Sequence, residues 1–571
     1  MRKINILVSL FAAVLLIVSC GGPQKMADNA SLVKYTVTPD PLETHGGKVA
    51  LTIDVKYPEK YFHKKAVVVA TPFIKYEGGE TDLESKTLQG EAVEGNNTVI
   101  GYTSGGSFKY ETTVDYADDM MKSELMVRGD ATVGSKQVAI PPIKIADGII
   151  TTPLLVQKKP KTIFFGDNFK RIIPESYEAD IHYVINRYDV RGSELKQDDI
   201  TGMTDFLVKA NENDRINMKG IGVSAYASPD GEEDFNAKLS VNREKSAKRY
   251  LDNTVKKSKV KLPDDESFFS LMSTPEDWDG FKKLMEESTI TDKDLILRVL
   301  SMYSDPVVRE REIRNISAAF EEIKEEILPK LRRSKFAVNV EKVGYSDEEL
   351  ADLVKNDISK LNLEELLYSA TLFEDMNTKQ ACYTQATKIA PKCIRAHNNL
   401  GCVLIEKGDI AGAKKELQAA KEIKDHNIVK NNLGVIALIE GDVETAEELL
   451  TSAMGVGDEV NYNIAIIKIM NGDYEAAQNY LGGTVSVNSA LVKVLLGNNG
   501  QAIDVIDKIE DPSGLAYYVK AVAGAREGDS EVTFNALRTA VAKQPKLKAH
   551  AAKDLEFRQW FEDDAFKDIV Q

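Results

Sequence analysis

The feature that most constrains this chain is a helical pattern in its C-terminal part that repeats at a period near 34 residues. Two copies read Leu400, Gly401, Gly408, Ala413, Leu417 and Ala420, and then Leu433, Gly434, Gly441, Ala446, Leu450 and Ala453. Later copies place their turn glycines at Gly472, Gly497 and Gly528, each followed by Asp or Asn. A unit of this length cannot bury its apolar face alone, so the pattern predicts stacked helix pairs over residues 346–571.

This pattern resembles the tetratricopeptide repeat family, whose helix pairs stack into an α-solenoid. The resemblance implies a surface that binds an extended peptide or a helix of a protein partner. Asparagines recur beside each Leu-Gly or equivalent position, at Asn398, Asn399, Asn431, Asn432, Asn461 and Asn463. An asparagine amide can hydrogen-bond a peptide main chain without reading its sequence, so these are the predicted partner-binding residues. Packing between helices is the alternative that the sequence leaves open.

The N-terminus has the layout of a bacterial export signal. A basic start precedes an apolar stretch over residues 4–18, shorter than the roughly 20 residues of a spanning helix. Residues 17–20 (Ile-Val-Ser-Cys) resemble a lipobox, which implies cleavage before Cys20 and its acylation, including palmitate. A plain signal peptide with a chance cysteine is the alternative. Residues 20–31 predict a flexible tether, and the body is expected at the outer membrane, facing the periplasm.

Residues 32–156 predict an antiparallel β-sandwich. Apolar and polar residues alternate in short runs, as in residues 51–55 (Leu-Thr-Ile-Asp-Val), and glycine pairs such as Gly46-Gly47 separate the runs. The sequence of this region shows no carboxylate pair or histidine cluster, so we expect a spacing or protein-contact role; a structural module without a ligand is the alternative.

Residues 161–344 alternate strands and helices and predict an α+β domain. A predicted strand through Tyr226 is followed by Gly231, Asn236, Leu239, Ser240 and Arg243, in the spacing Asn-x-x-Leu-Ser-x-x-Arg. This pattern resembles the OmpA C-terminal family, which implies peptidoglycan as the ligand. The pair Arg332-Arg333 before the last strand is similar to a basic pair of that family. Residues 255–306 are predicted to be a helical insertion where the family has a strand.

The resemblance implies that an arginine and a loop aspartate hold the zwitterionic diaminopimelate of the peptidoglycan stem. Arg243 stands at the arginine position and would bind the carboxylate. The loop position holds Ser228, and the nearest carboxylate is Asp230, so Arg243, Asp230, Ser228 and Asn236 are the predicted peptidoglycan-binding residues. Two alternatives stay open: Asp230 replaces the loop aspartate through a shifted loop, or the domain is an adaptor that no longer binds peptidoglycan.

Composition excludes several classes of function. The chain has 73 Lys and Arg against 89 Asp and Glu, a net charge of −16, which disfavours nucleic-acid binding. The six histidines are scattered, and we interpret Cys382, Cys393 and Cys402 as small helix residues rather than a bridge. The sequence therefore predicts no metal, no cofactor and no catalytic residue.

Together these features predict a non-enzymatic, lipid-anchored scaffold that contacts peptidoglycan and recruits protein partners through its repeats. The alternative is an accessory subunit of an outer-membrane assembly or secretion complex, in which the OmpA-like domain no longer binds peptidoglycan. A third hypothesis, a wall hydrolase, would need a buried carboxylate pair within residues 255–306.

Overall fold

The computed structural model describes residues 22–571. Cys20 and the lipobox lie outside the described residues. The chain forms two compact units: Met1–Phe165 together with Lys392–Gln571, and Gly166–Pro391. Within residues 22–571, no helix has the length and apolar character needed to cross a bilayer.

The N-terminal part of the first unit is rich in strands, as the sequence predicted. Its elements are α1 Pro23–Asp28, β1 Lys34–Thr38, β2 Lys48–Tyr57, β3 Ala66–Tyr76, β4 Gly79–Asp82, β5 Lys86–Gly90, β6 Thr98–Ile100, β7 Gly106–Asp115, β8 Ser123–Val133 and β9 Lys136–Asp147. One sheet has the order β1-β2-β7 and another has the order β6-β5-β3-β8-β9, with β4 beside β3. Residues from both sheets share one core, because alternate residues such as Leu51 and Ile53 of β2 face it while their neighbours do not.

Residues 23–32 are not the flexible tether that the sequence predicted. They form α1 and a 3₁₀ turn at Ala30–Leu32, and α1 packs against β8 and β9. The Met26 side chain is 1% exposed, and the Tyr61 hydroxyl donates a hydrogen bond to the Met26 carbonyl at 3.0 Å. The Gly-Gly-Pro start suggested a linker, but proline also fits the first turn of a helix. The body of the protein therefore begins almost directly after position 20.

The second unit combines a sheet with helices. Its elements are β10 Ile172–His182, α2 Asp198–Glu212, β11 Ile216–Tyr226, α3 Glu233–Lys257, β12 Phe269–Thr274, α4 Trp278–Glu287, α5 Lys293–Met302, α6 Pro306–Arg314, α7 Ser317–Glu326, α8 Leu328–Leu331, β13 Arg333–Val343, α9 Asp347–Asn356, α10 Leu363–Ser369 and α11 Met376–Ile389. The strand order is β10-β13-β11-β12, and α2 and α3 pack on this sheet. Helices α9–α11 belong to this unit, although the sequence assigned residues from 346 onward to the repeats.

The sequence predicted a helical insertion over residues 255–306, but this segment also contains a strand. It contains β12, which pairs in parallel with β11 from Phe269 opposite Ile221 to Thr274 opposite Tyr226. The stretches 277–284 and 292–302, predicted as helices, do form α4 and α5. β12 escaped prediction because it is an edge strand without a buried face, so its sequence lacks the alternation that marks a strand.

The C-terminal part of the first unit consists of successive helix pairs. Its helices are α12 Ile394–Glu406, α13 Ile410–Ile423, α14 Asn427–Glu440, α15 Val443–Ser452, α16 Asp458–Met470, α17 Tyr474–Leu481, α18 Val487–Leu495, α19 Asn499–Asp507, α20 Gly514–Glu527, α21 Ser530–Lys543, α22 Lys546–Ala551 and α23 Asp564–Val570. The Gly-Asp dipeptides join the helices of a pair, as predicted. Gly408 and Gly441 adopt left-handed φ angles of 80° and 84° that end a helix. Asp409 and Asp442 then cap the next helix by accepting a bond from the main-chain N–H three residues later.

The strand-rich part and the repeats form one unit because they share buried contacts. His45 Nδ1 lies 2.7 Å from the Tyr474 hydroxyl oxygen. The Thr152 hydroxyl donates to Glu556, whose carboxylate also pairs with Arg526 at 2.6 Å. Residues 155 and 156 (Leu and Val) are buried in the core of the last repeats. The chain that leaves the strands is thus fixed to the repeats before it continues.

Asp554 is a buried carboxylate in the C-terminal cap. It is 1% exposed and accepts hydrogen bonds from the Tyr518 hydroxyl at 2.6 Å and the Glu556 N–H at 3.0 Å. Burial raises the pKa of Asp554 to about 6, and the negative charge of Glu556 adds to this effect. The nearby cation Arg526 opposes the shift, and the His550 ring lies 3.8 Å away.

We expect Met26→Ala to weaken the packing of α1 on the sheet by about 2–5 kcal/mol, because the change leaves a cavity. Hydrogen exchange of peptides from β8 and β9 measures the free energy of local opening. Lys25→Ala, an exposed position on the same helix, is the matched control. Equal exchange in the two variants would show that α1 does not stabilise the sheet.

We expect Asp554→Asn to change how stability depends on pH. The folded pKa of Asp554 lies above the ordinary value of 3.8, so its contribution to stability is greatest at low pH and falls as pH rises from about 4 to 6. The loss amounts to about 3 kcal/mol. Urea unfolding at pH 4 and pH 7 measures the free energy of unfolding of both proteins. The difference, variant minus wild type, should be more favourable to the variant at pH 7 than at pH 4. Asp563→Asn, at an exposed helix cap, should show no such gain.

Candidate functional site

An extended segment of the chain, residues 157–165, lies along the first helices of the successive repeat pairs. We call this segment the strap. It forms neither helix nor strand, and it follows α18, α16, α14 and α12 in that order, so it runs opposite to the order of the repeats. Both the strap and these helices belong to the first unit.

Each asparagine of a regular series holds both main-chain polar groups of one strap residue. The pairs are Asn399 with Phe165, Asn432 with Ile163, Asn463 with Lys161 and Asn488 with Gln157, and all the distances lie between 2.7 and 3.0 Å. In each pair the side-chain oxygen accepts from the residue's N–H, and the side-chain NH₂ donates to its carbonyl. The amide thus replaces the hydrogen-bonded residue of a neighbouring antiparallel strand.

We call the series Asn399, Asn432, Asn463 and Asn488 the ladder, and each asparagine with its strap residue a rung. A second set of side chains joins the rungs of this ladder. The Asn398 amide donates to the Ile163 carbonyl at 3.0 Å, and Asn431 donates to the Lys161 carbonyl at 3.2 Å. The Asn432 amide also donates to the Asn398 oxygen at 2.9 Å, which links neighbouring repeats. Burial raises the pKa of the Cys402 thiol, which stays protonated and donates to the Ile163 carbonyl.

Side chains of the strap also contact the repeats at every second position. Lys161 Nζ lies 4.3 Å from the centre of the Tyr462 ring, a cation–π contact. Ile163 packs against a buried cluster that includes Ala437 and Ile464. Phe165 meets the His426 ring edge-on, with 4.8 Å between ring centres.

The structure brings together most of the predicted asparagines, and their bonds go to the chain itself. Asn398, Asn399, Asn431, Asn432 and Asn463 are at most 2% exposed and contact the strap, whereas Asn461 is half-buried and lies outside this set. Sequence reasoning missed Asn488. Asn399, Asn432, Asn463 and Asn488 each stand two residues before the small residue of their repeat (Gly401, Gly434, Ala465, Ala490), which is the signal that identifies them.

The residues predicted to bind peptidoglycan line a single cavity of about 400 Å³ in the second unit. Ser228, Asp230, Asn236 and Arg243 all face it, together with Arg332. The loop after β11 brings the first two residues to the start of α3, which carries the other two. Asn236 fixes this loop by donating to the carbonyls of Ser228 and Gly231, both at 3.2 Å.

Arg243 is buried, and its side-chain hydrogen bonds go to main-chain carbonyls. Its side chain is 1% exposed, and its guanidinium donates to the carbonyls of Arg187 at 3.0 Å and Tyr226 at 2.8 Å. Burial lowers the pKa of Arg243 to about 10, and the nearby cation Arg332 adds to this effect. Within residues 22–571, no carboxylate forms an ion pair with it; Asp230 instead pairs with Arg332 at 3.1 Å.

We expect Asn463→Ala to loosen the strap, because it removes two of the three bonds to the main chain of Lys161 and leaves only the one from Asn431. The loss of about 1–3 kcal/mol corresponds to about 5- to 150-fold faster hydrogen exchange in residues 161–165. Asn461→Ala, on the same helix but off the ladder, is the matched control. Equal exchange in the two variants would contradict a role of the ladder in holding the strap.

Comparison with known proteins identifies the repeats. Residues 394–427 match the tetratricopeptide repeat family, which confirms the first predicted copy. No curated protein sequence matches the chain significantly. Among solved structures, the chain is similar to a tetratricopeptide repeat protein from Parabacteroides merdae (16% identity, 39% of this chain and 89% of that chain, TM-score 0.28). It is also similar to PilF of Pseudomonas aeruginosa (14% identity, 38% of this chain and 99% of that chain, TM-score 0.30). A further similar structure is the tetratricopeptide repeat protein YrrB (17% identity, 36% of this chain and 100% of that chain, TM-score 0.22). Residues 394–427 are therefore a repeat of the tetratricopeptide type, and the C-terminal helix pairs are consistent with a solenoid of such repeats.

Proposed function

We propose that this protein is a non-enzymatic scaffold of the bacterial cell envelope, anchored at the outer membrane by a lipid on Cys20 and facing the periplasm. Its repeats recruit protein partners, and its middle domain contacts peptidoglycan. The match to the tetratricopeptide repeat family supports the recruitment of protein partners. The observation that carries the peptidoglycan contact is the meeting of Ser228, Asp230, Asn236 and Arg243 at one cavity.

The bonding of Arg243 supports a ligand that carries a carboxylate. A buried guanidinium whose hydrogen bonds go to carbonyls, with no direct ion pair, gains from an added anion, and arginine can bind a carboxylate through two parallel N–H groups. Arg243 is such a group, with bonds to carbonyls and a position on the cavity wall. The free carboxylate of diaminopimelate would meet this requirement.

A second candidate function rests on the ion pair between Arg332 and Asp230. The ligand's ammonium group needs a free carboxylate, but Arg332 already neutralises Asp230 and also contacts Ser228 at 3.3 Å. In this alternative the domain does not bind peptidoglycan, and the protein is an accessory subunit of an outer-membrane assembly or secretion complex.

Sedimentation with purified sacculi tests the proposal. We expect the wild-type chain to sediment, and Arg243→Ala to bind about 10- to 100-fold more weakly, because a charged hydrogen-bond pair is lost. Arg249→Ala, at an exposed position on the same helix, should bind like wild type. Arg243→Lys keeps the buried charge but not the planar fork, so it should also bind more weakly while remaining folded.

The outcomes separate the two functions. If wild type stays in the supernatant, the peptidoglycan contact is wrong and the accessory-subunit function stands; a stoichiometric β-barrel partner after cross-linking in intact cells would then be expected. If wild type and both folded Arg243 variants sediment equally, the contact with peptidoglycan does not use this cavity.

A further inference from the structure

The surface of the repeats that suits a partner peptide is already covered by the strap. This inference rests on the proposed function, in which the repeats recruit a protein. We propose that the strap is an internal ligand of the repeats, and that a partner binds the same ladder with an extended segment of the pattern basic-x-aliphatic-x-aromatic once the strap has left. The pattern is that of Lys161, Ile163 and Phe165.

The hydrogen bonds from the ladder to the main chain of the strap could equally be made to the main chain of another extended segment. On the strap, the ladder asparagines bond to main-chain N–H and carbonyl groups, which every residue except proline offers alike. The rungs at residues 161, 163 and 165 follow the two-residue period of an extended chain. Beyond them the next rung is at Gln157, and Pro160, which has no N–H, lies in this gap. A partner segment therefore needs an extended main chain and no proline at the rungs.

The side chains define which segments fit. The Tyr462 ring receives a cation, the cluster around Ala437 and Ile464 receives an aliphatic side chain, and His426 receives an aromatic ring. These contacts occur at alternate positions, and between them the Thr162 side chain hydrogen-bonds Cys402. Lys158 and Lys159 of the strap are exposed. The site therefore has a preferred class of side chain at residues 161, 163 and 165, which are spaced two residues apart.

Covalent connection makes the strap a strong competitor. Residues 155 and 156 are buried in the repeat core just before the strap, so the strap stays near its site at a high effective concentration. The apparent affinity for an outside segment falls in proportion to the fraction of molecules with an open ladder. The intact protein should therefore bind such a segment weakly, and loss of the strap contacts should reveal the site.

The test uses a fluorescent peptide with the sequence of residues 157–165 and the full chain. We expect Ile163→Ser combined with Phe165→Ser in the strap to raise affinity for the peptide at least about 10-fold over wild type, as expected when an internal competitor is weakened. Adding Asn463→Ala to that double variant should remove the gain, whereas adding Asn461→Ala should keep it. A peptide with serine at both positions should not bind.

A second variant guards against loss of folding in the first. A specific protease site inserted between Lys158 and Lys159, which are exposed, allows the strap to be cut in the folded protein without changing residues 161–165. Cutting removes the connection to residues 155 and 156 but leaves the one through residue 166, so peptide affinity should rise by a smaller factor than in the double variant. The proposal is overturned if neither the folded double variant nor the cut chain gains affinity, or if uncut wild type binds the peptide as tightly as they do. Sacculus binding is independent of this titration, so either result can fail alone.

Discussion

The first unit depends on a pairing between asparagine amides and the main chain of an extended segment. A strap without helix or strand must satisfy its own N–H and carbonyl groups, because leaving them unpaired in a buried place costs about 1–3 kcal/mol each. A buried asparagine has the same need. The ladder at Asn399, Asn432, Asn463 and Asn488 satisfies both needs at once. Without the asparagines the strap would have unpaired main-chain groups, and without the strap the asparagines would be unpaired buried amides.

This pairing also explains where the first unit ends along the chain. Residues 161–165, which the sequence assigned to the middle domain, belong to the unit that contains the repeats. They do so because their main chain is bonded to Asn399, Asn432 and Asn463, which lie more than two hundred residues later in the sequence. Contacts between such distant residues leave no periodic signal, so a domain border drawn from a change in sequence texture misses them.

Sequence reasoning succeeded where the signal was local and periodic. The helix pairs follow from the repeated Gly-Asp turns, and the strands from the alternation in segments such as β2. It associated six asparagines with the main chain of a partner peptide; five of them bond to main-chain groups, but these belong to the chain's own strap. It also missed α1, which looked like a linker, and β12, which has no buried face. The four predicted cavity residues do converge, whereas the pairing of Asp230 with Arg332 depends on residues about a hundred positions apart.

The cavity of the second unit differs in kind from the ladder. In the ladder neutral groups satisfy each other fully, so the site can be filled by the chain itself. In the cavity Arg243 and Arg332 occur together with two carboxylates: Asp230, which pairs with Arg332, and the exposed Glu232. The carbonyls around Arg243 reduce the cost of its burial but do not cancel its charge, as the lowered pKa of this group shows. Among residues 22–571 no carboxylate forms a direct ion pair with Arg243, so a ligand with a carboxylate is the kind of molecule that would pair with it.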